Sequence, residues 1–142
     1  MALRQRTARD WASIAAAAVG LATVVVYLVI IAHQDTGSED YPLVAFVTLY
    51  FAALSVAAFL SAFADTRRCV ALRSAATAGF LFWGLIAATS IGLPLLVAGL
   101  VALVALVRTL RDTPGAGIFA ALVGTATVLT GITGLLTTAL FR

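Results

Sequence analysis

Few side chains in this sequence could do chemistry, and three of the six acidic ones lie in a short polar stretch at residues 33–42. This stretch contains His33, Asp35, Glu39 and Asp40. Oxygen ligands on a flexible loop suit calcium, but the spacing does not match a calcium-binding loop, and a single histidine is a poor anchor. We therefore interpret the stretch as a solvated loop whose negative charge suits a protein partner with a basic face.

A second polar stretch surrounds the single cysteine, Cys69, and contains Arg67, Arg68 and Arg73. Arginines beside a cysteine favour the reactive thiolate. A catalytic thiolate also needs a base, however, and the single histidine lies in the other stretch. The pattern therefore predicts a structural cysteine, and arginines that mark topology or contact anionic lipid headgroups.

The motifs that define most enzyme and cofactor sites are absent from this sequence. It has no phosphate-binding glycine loop, no Ser-His-Asp set and no cluster with metal-ligand spacing. The basic runs are short and lack interleaved aromatic residues, which argues against nucleic acid as a partner. We therefore expect that the chain is not an enzyme and has no catalytic, cofactor-binding or metal-binding residue.

The composition is that of a membrane protein. Of the 142 residues, 63% are hydrophobic and 11% are charged, and the mean hydropathy is +1.11. Soluble domains are about 25% charged, because they must present polar groups to water over most of their surface. The net charge of +3 results from nine basic residues, all of them arginine, and six acidic residues. The lipid bilayer is therefore the first predicted partner.

Five apolar runs have the length of transmembrane helices, since about 20 residues cross a hydrocarbon core of about 30 Å. The prediction is an all-α, polytopic integral membrane helical bundle with a single transmembrane domain over residues 1–142. The first run is long for a signal peptide, and no small-residue cleavage site follows it. The predicted spans are about 11–32, 43–64, 70–90, 93–109 and 116–141.

The number of spans depends on residues 74–107, which contain no charged side chain. One helix over this range would extend about 50 Å, well beyond the hydrocarbon core, so the chain must fold back. Gly92 and Pro94 mark the break, which predicts two short spans joined there. Four full spans with a short or re-entrant segment are the alternative.

The arginines predict the orientation of the bundle. They cluster at 4–9, 67–73 and 108–111, and the latter two clusters include Arg67, Arg68, Arg73, Arg108 and Arg111. With five spans, all three clusters face one side, and loops 33–42 and 90–94 face the other. Because positive residues are retained in the cytoplasm, we predict a bacterial inner (plasma) membrane protein with a cytoplasmic N-terminus and an external C-terminus.

No ionisable side chain falls deep inside a predicted span. Intramembrane acids, bases and histidines are the usual mark of proton relays and ion-coupled carriers. Their absence argues against a proton pump, an ion-coupled carrier or an intramembrane hydrolase. Pores lined by backbone carbonyls stay open as an interpretation, because they need no charged side chain.

The last span carries the strongest packing pattern. Gly117, Gly124, Gly131 and Thr138 repeat every seven residues and share one stripe of a helix. Small residues let two transmembrane helices approach closely, so the pattern predicts that this helix is the centre of the bundle. The fourth span is rich in leucine and valine all round and is predicted to be an outer, lipid-facing helix.

Six threonines of the last span have two interpretations. Their hydroxyls could line a path through an oligomer, or they could bond back to the preceding turn of their own helix. They spread around the helix rather than along one face, which favours the second interpretation. The threonines are Thr125, Thr127, Thr130, Thr133, Thr137 and Thr138.

The leading functional hypothesis is a non-enzymatic accessory or assembly subunit of a larger membrane complex. A chain with little soluble surface, no coupling residues and one strongly packing helix suits binding to the helices of other membrane proteins. The alternative is a homo-oligomeric channel or facilitator whose pore is lined by small and hydroxyl-bearing side chains.

Overall fold

The computed structural model describes residues 2–33, 41–87 and 92–140. Within these residues the chain forms five α-helices and no strand, and each helix is long and apolar enough to cross a membrane. The chain is therefore a multi-pass membrane protein built as an all-α bundle, as predicted. The helices are α1 (Ala2–Ala32), α2 (Tyr41–Leu60), α3 (Thr66–Ile86), α4 (Gly92–Arg111) and α5 (Ala116–Leu140).

Several helix ends differ from the predicted spans: α1 begins at Ala2 rather than near residue 11, and α3 ends at Ile86 rather than near residue 90. α2 ends at Leu60 rather than near residue 64, and α3 begins at Thr66 rather than near residue 70. After α2 the Ser61 hydroxyl donates to the carbonyl of Ala58 at 2.7 Å. Arginine is a good helix former, and only its charged head must reach water, so hydrophobicity alone does not mark where a helix begins.

α3 and α4 run side by side in opposite directions. Gly92, at the start of α4, packs against the backbone of Gly84 near the end of α3. Near the other end, Arg73 of α3 donates to Thr109 of α4. The helices have 21 and 20 residues, or about 30 Å each. Each is therefore long enough to cross the membrane, which favours two full spans over a short or re-entrant segment.

Two of the arginine clusters lie at the same end of the bundle. One cavity is lined by the segment between α2 and α3, by the first turns of α3 and by the end of α4 with the residues after it, including Arg73 and Asp112. A neighbouring cavity is lined by the first turns of α3 and α5, including Arg67 and Ala116. The end of the bundle that holds these cavities is called the arginine-bearing end below.

The most enclosed helix is α3, and the prediction that α5 is the centre of the bundle is wrong. Within the most apolar stretch of each helix, 56% of the residues of α3 are buried, against 17% for α5. α3 contacts α2, α4 and α5, whereas α5 lies at the edge. Small residues permit close approach, but they do not determine how many neighbours a helix has.

α4 is an outer helix with an exposed face of leucine and valine, but the prediction that these residues cover it on all sides is wrong. Ala98, Ala102 and Ala105 are buried, whereas Val97 and Leu100 are exposed. The buried alanines lie three or four residues apart, on the face of α4 that contacts α1 and α3. This narrow alanine face is hard to recognise from the sequence, because leucine and valine dominate the composition of α4.

Candidate functional site

α5 is held to the bundle by small residues and by two hydroxyl groups from other helices. The Ser74 hydroxyl of α3 donates to the carbonyl of Ala120. The Tyr50 hydroxyl of α2 donates to the carbonyl of Thr127 at 2.6 Å. Hydrogen bonds between transmembrane helices are worth about 1 kcal/mol each. These two hydrogen bonds therefore help to fix the orientation of α5 against α2 and α3.

The four residues that repeat every seven positions along α5 lie in different environments. Gly124 and Gly131 are buried, and Gly131 lies against Tyr50. A side chain at Gly117 would meet no atom within 4 Å. Thr138 is half-buried and donates its hydroxyl to the carbonyl of Gly134 within α5. The middle of the series therefore lies in the contact with α2 and α3, while Gly117 lies open.

A lateral groove of about 610 Å³ runs between α3 and α5, and we call it the α3–α5 groove. Its lining combines small side chains of α3 and α5 with leucines of α3, α4 and α5. Gly117, Ala121 and Thr125 lie along its outer edge at four-residue spacing, and all three are exposed. The lining residues are Ser74, Thr77, Ala78, Leu81, Leu106, Leu110, Gly117, Ala120, Ala121, Gly124, Thr125, Val128 and Leu129.

Each of the six threonines of α5 bonds back to its own helix, which confirms the second interpretation of their pattern. The hydroxyl of Thr130, for example, donates to the carbonyl of Ala126 at 2.8 Å. The others donate to carbonyls four residues earlier at 2.7–3.0 Å. Thr77 of α3 differs, because its buried hydroxyl has no hydrogen-bond partner.

A polar recess of about 710 Å³ opens at the arginine-bearing end, between the end of α2, the start of α3 and the end of α4. Its lining contrasts with the apolar helices around it, because it carries both charges and several hydroxyl groups. The lining residues are Ser61, Ala62, Phe63, Ala64, Asp65, Thr66, Cys69, Arg73, Thr109, Asp112 and Thr113.

Arg73 is the deepest charged group in the recess, with 4% of its surface exposed. Its Nη1 atom donates to the Thr109 hydroxyl at 2.6 Å and to the carbonyl of Ala105 at 3.5 Å. The Thr109 hydroxyl in turn donates to the same carbonyl at 2.9 Å. α4 therefore fixes the orientation of the guanidinium group.

The other four arginines of the two clusters are exposed: Arg67, Arg68, Arg108 and Arg111. Arg67 lines the separate cavity between α3 and α5. All five arginines were predicted to mark topology or contact lipid headgroups, but Arg73 differs from the other four because it is buried. Arg73 lies on the buried face of α3, because Ala76 and Phe80, which follow it at helical spacing, are also buried.

No group of three His, Cys, Asp or Glu side chains that could hold a metal ion occurs in the described part of the chain. His33 is exposed, and its Nδ1 lies 2.8 Å from the carbonyl of Val29. Asp35, Glu39 and Asp40 of the acidic stretch lie outside the described residues. Cys69 is buried in the lining of the polar recess.

No protein-family model, curated protein or solved structure matches the chain.

Proposed function

We propose that this chain is a non-enzymatic accessory or assembly subunit, and that a transmembrane helix of another protein docks along the outer edge of the α3–α5 groove. The groove itself carries this proposal. In lipid, apolar burial does not drive helices together, so association depends on close packing and interhelical hydrogen bonds. Gly117, Ala121 and Thr125 present such a close-packing edge to the membrane.

The rest of α5 supports the same proposal. Three residues of α5 are buried in the bundle, Ala120, Gly124 and Gly131. Most of its surface is therefore available to a second protein. The channel alternative has less support, because all six hydroxyls of α5 already donate their protons to carbonyls of their own helix.

Filling the edge of the groove is expected to release the partner. In Ala121→Leu, a larger side chain enters the proposed contact, and overpacking of this kind costs about 1–3 kcal/mol. The amount of partner recovered in mild detergent should fall by roughly tenfold or more. The measurement is quantitative mass spectrometry of the tagged chain and its fixed-ratio companion.

Ala126→Leu is the matched control, because Ala126 is also an exposed alanine of α5 but does not line the groove. It should retain the partner, and both variants should melt close to the wild-type temperature. A wild-type protein that purifies alone as a symmetric oligomer and passes solute into liposomes would contradict the subunit proposal and favour the channel.

The arginine-bearing end is proposed to face the cytoplasm of a bacterial cell, since positive residues are retained there. A cysteine replacing Pro114, which is exposed in the turn between α4 and α5, should react with an impermeant maleimide only after permeabilisation. A cysteine replacing Gly37 should react in intact cells. The native Cys69 is buried and should contribute little background. The reverse labelling pattern would overturn this orientation.

A further inference from the structure

One buried hydroxyl group of the α3–α5 groove has no hydrogen bond within the described part of the chain. It belongs to Thr77 of α3, which lines the groove and has 4% of its surface exposed. The other unpartnered hydroxyls, of Ser13 and Thr48, line none of the cavities described above. A buried hydroxyl without a partner carries a free-energy cost, so Thr77 would gain from a polar group supplied by another molecule.

Thr77 lies near the middle of the membrane. α3 extends from Thr66 to Ile86, which places Thr77 about 15 Å from each end of the helix. Phospholipids carry their polar atoms in the headgroup and interfacial layers, outside the hydrocarbon core. An acyl chain in the groove therefore offers Thr77 no acceptor, whereas a polar side chain on a transmembrane helix can reach this depth.

α5 presents a second polar atom at the same level. A side chain at Gly124 would contact Ser74 and Ala78 of α3, at 3.2 and 3.3 Å. Gly124 and the next residue, Thr125, therefore lie level with residues 74–78. Thr125 is exposed and lines the groove. Its hydroxyl donates its proton within α5, so its oxygen can still accept a hydrogen bond from outside.

We propose that the partner helix docked at the α3–α5 groove carries an uncharged hydroxyl or carboxamide side chain that pairs with Thr77 in the middle of the membrane. Both kinds of side chain contain an acceptor and a donor, which suits Thr77 and Thr125 together. A charged side chain would find no counter-charge in the lining of the groove and is costly at this depth. This inference rests on the proposed docking of a partner helix and names the chemistry of that helix.

Removal of the Thr77 hydroxyl tests the inference. The tagged wild type, Thr77→Val and Thr77→Ser are purified in mild detergent, and the fixed-ratio companion is quantified by mass spectrometry. Thr77→Val should retain roughly three- to tenfold less companion, the size of one hydrogen bond between transmembrane helices. Thr77→Ser keeps the hydroxyl and should retain nearly the wild-type amount. Undiminished retention by Thr77→Val would overturn the inference.

Thr23→Val is the matched control. Thr23 is a buried threonine of α1, with 3% of its surface exposed, and its hydroxyl donates to the carbonyl of Val19 at 2.8 Å. It lies outside the lining of the groove. The same substitution at this position should therefore leave the amount of companion unchanged. An equal loss of companion in Thr23→Val and Thr77→Val would contradict a specific contact at Thr77.

The stability of the chain expressed without its companion gives a second measurement. Because the Thr77 hydroxyl has no partner in the free chain, Thr77→Val should melt at or above the wild-type temperature. A lower melting temperature would show that the hydroxyl bonds within the bundle, and it would overturn the inference. A wild-type dimer that Thr77→Val dissociates would assign the groove to a second copy of this chain and would also overturn it.

Ala121→Leu distinguishes failure of this inference from failure of the proposed function. If Ala121→Leu releases the companion and Thr77→Val does not, the docking edge stands and the pairing with Thr77 is wrong. If neither variant releases the companion, or if the wild type has none, both proposals are wrong.

The companion itself provides the last check. Its docking span is identified by cross-linking to Ala121→Cys. A docking span without a hydroxyl or carboxamide side chain would overturn the inference. Where the span has one, its replacement by alanine should cause the same loss of retention as Thr77→Val. The two substitutions together should cause no further loss, because they remove the same hydrogen bond.

Discussion

Alanine at position 92 is expected to destabilise the bundle by about 1–3 kcal/mol, the range for overpacked cores. A Cβ atom at Gly92 would lie 2.6 Å from the carbonyl oxygen of Ala87, and it would also meet the backbone of Gly84. Gly84 belongs to α3 and Ala87 directly follows its last residue. Main-chain atoms cannot rotate away, so the variant must separate the ends of α3 and α4.

The measurement is the midpoint of unfolding in mixed detergent micelles, with helix content followed by circular dichroism. Gly117→Ala is the matched control, because a side chain there meets no atom within 4 Å. It should leave stability unchanged or raise it by up to about 1 kcal/mol, since alanine is the better helix former. Equal stability of the two variants would show that α3 and α4 are not in close contact at Gly92.

Phe80→Ala is expected to destabilise the bundle by about 2–3 kcal/mol. Phe80 has none of its surface exposed, and its ring contacts α1 at Gly20. In a membrane, truncating the side chain loses no water-to-oil transfer free energy, because lipid is as apolar as the core. The cost therefore comes from the cavity, at about 24 cal/mol per Å³ over about 100 Å³.

Phe59→Ala removes the same atoms from a side chain that is 46% exposed and serves as the control. Lipid can fill the space, so the expected loss is below about 1 kcal/mol. Steric trapping or reversible unfolding in micelles compares the two. A Phe59 variant that loses as much stability as the Phe80 variant would contradict the central position of α3.

The sequence by itself determined that the chain is a membrane bundle and where its helices fall. Apolar runs of about 20 residues permit few structures in lipid, because every backbone N–H and C=O must be satisfied within the segment. The break at Gly92 and Pro94 was predicted for the same reason: one helix over residues 74–107 would be too long to remain in the membrane. The threonine hydroxyls were also predictable, since back-bonding depends only on the local helix.

Tertiary structure alone decided which helix lies at the centre and what Arg73 does. The glycines of α5 describe how close a neighbour can come, but the number of neighbours depends on the paths of all five helices. α3 is less hydrophobic than the others, which is consistent with its position away from lipid, but that difference is small in a single sequence. Arg73 follows Arg67 and Arg68 in the chain and differs from them only in facing α4.

The same distinction applies to the two candidate sites. The α3–α5 groove and the polar recess each combine residues that lie far apart in sequence, such as Arg73 and Thr109. Hydrophobicity and helix periodicity report the environment of one helix at a time. The positions of neighbouring helices arise from packing between distant segments, so these sites became visible only once the five helices were placed together.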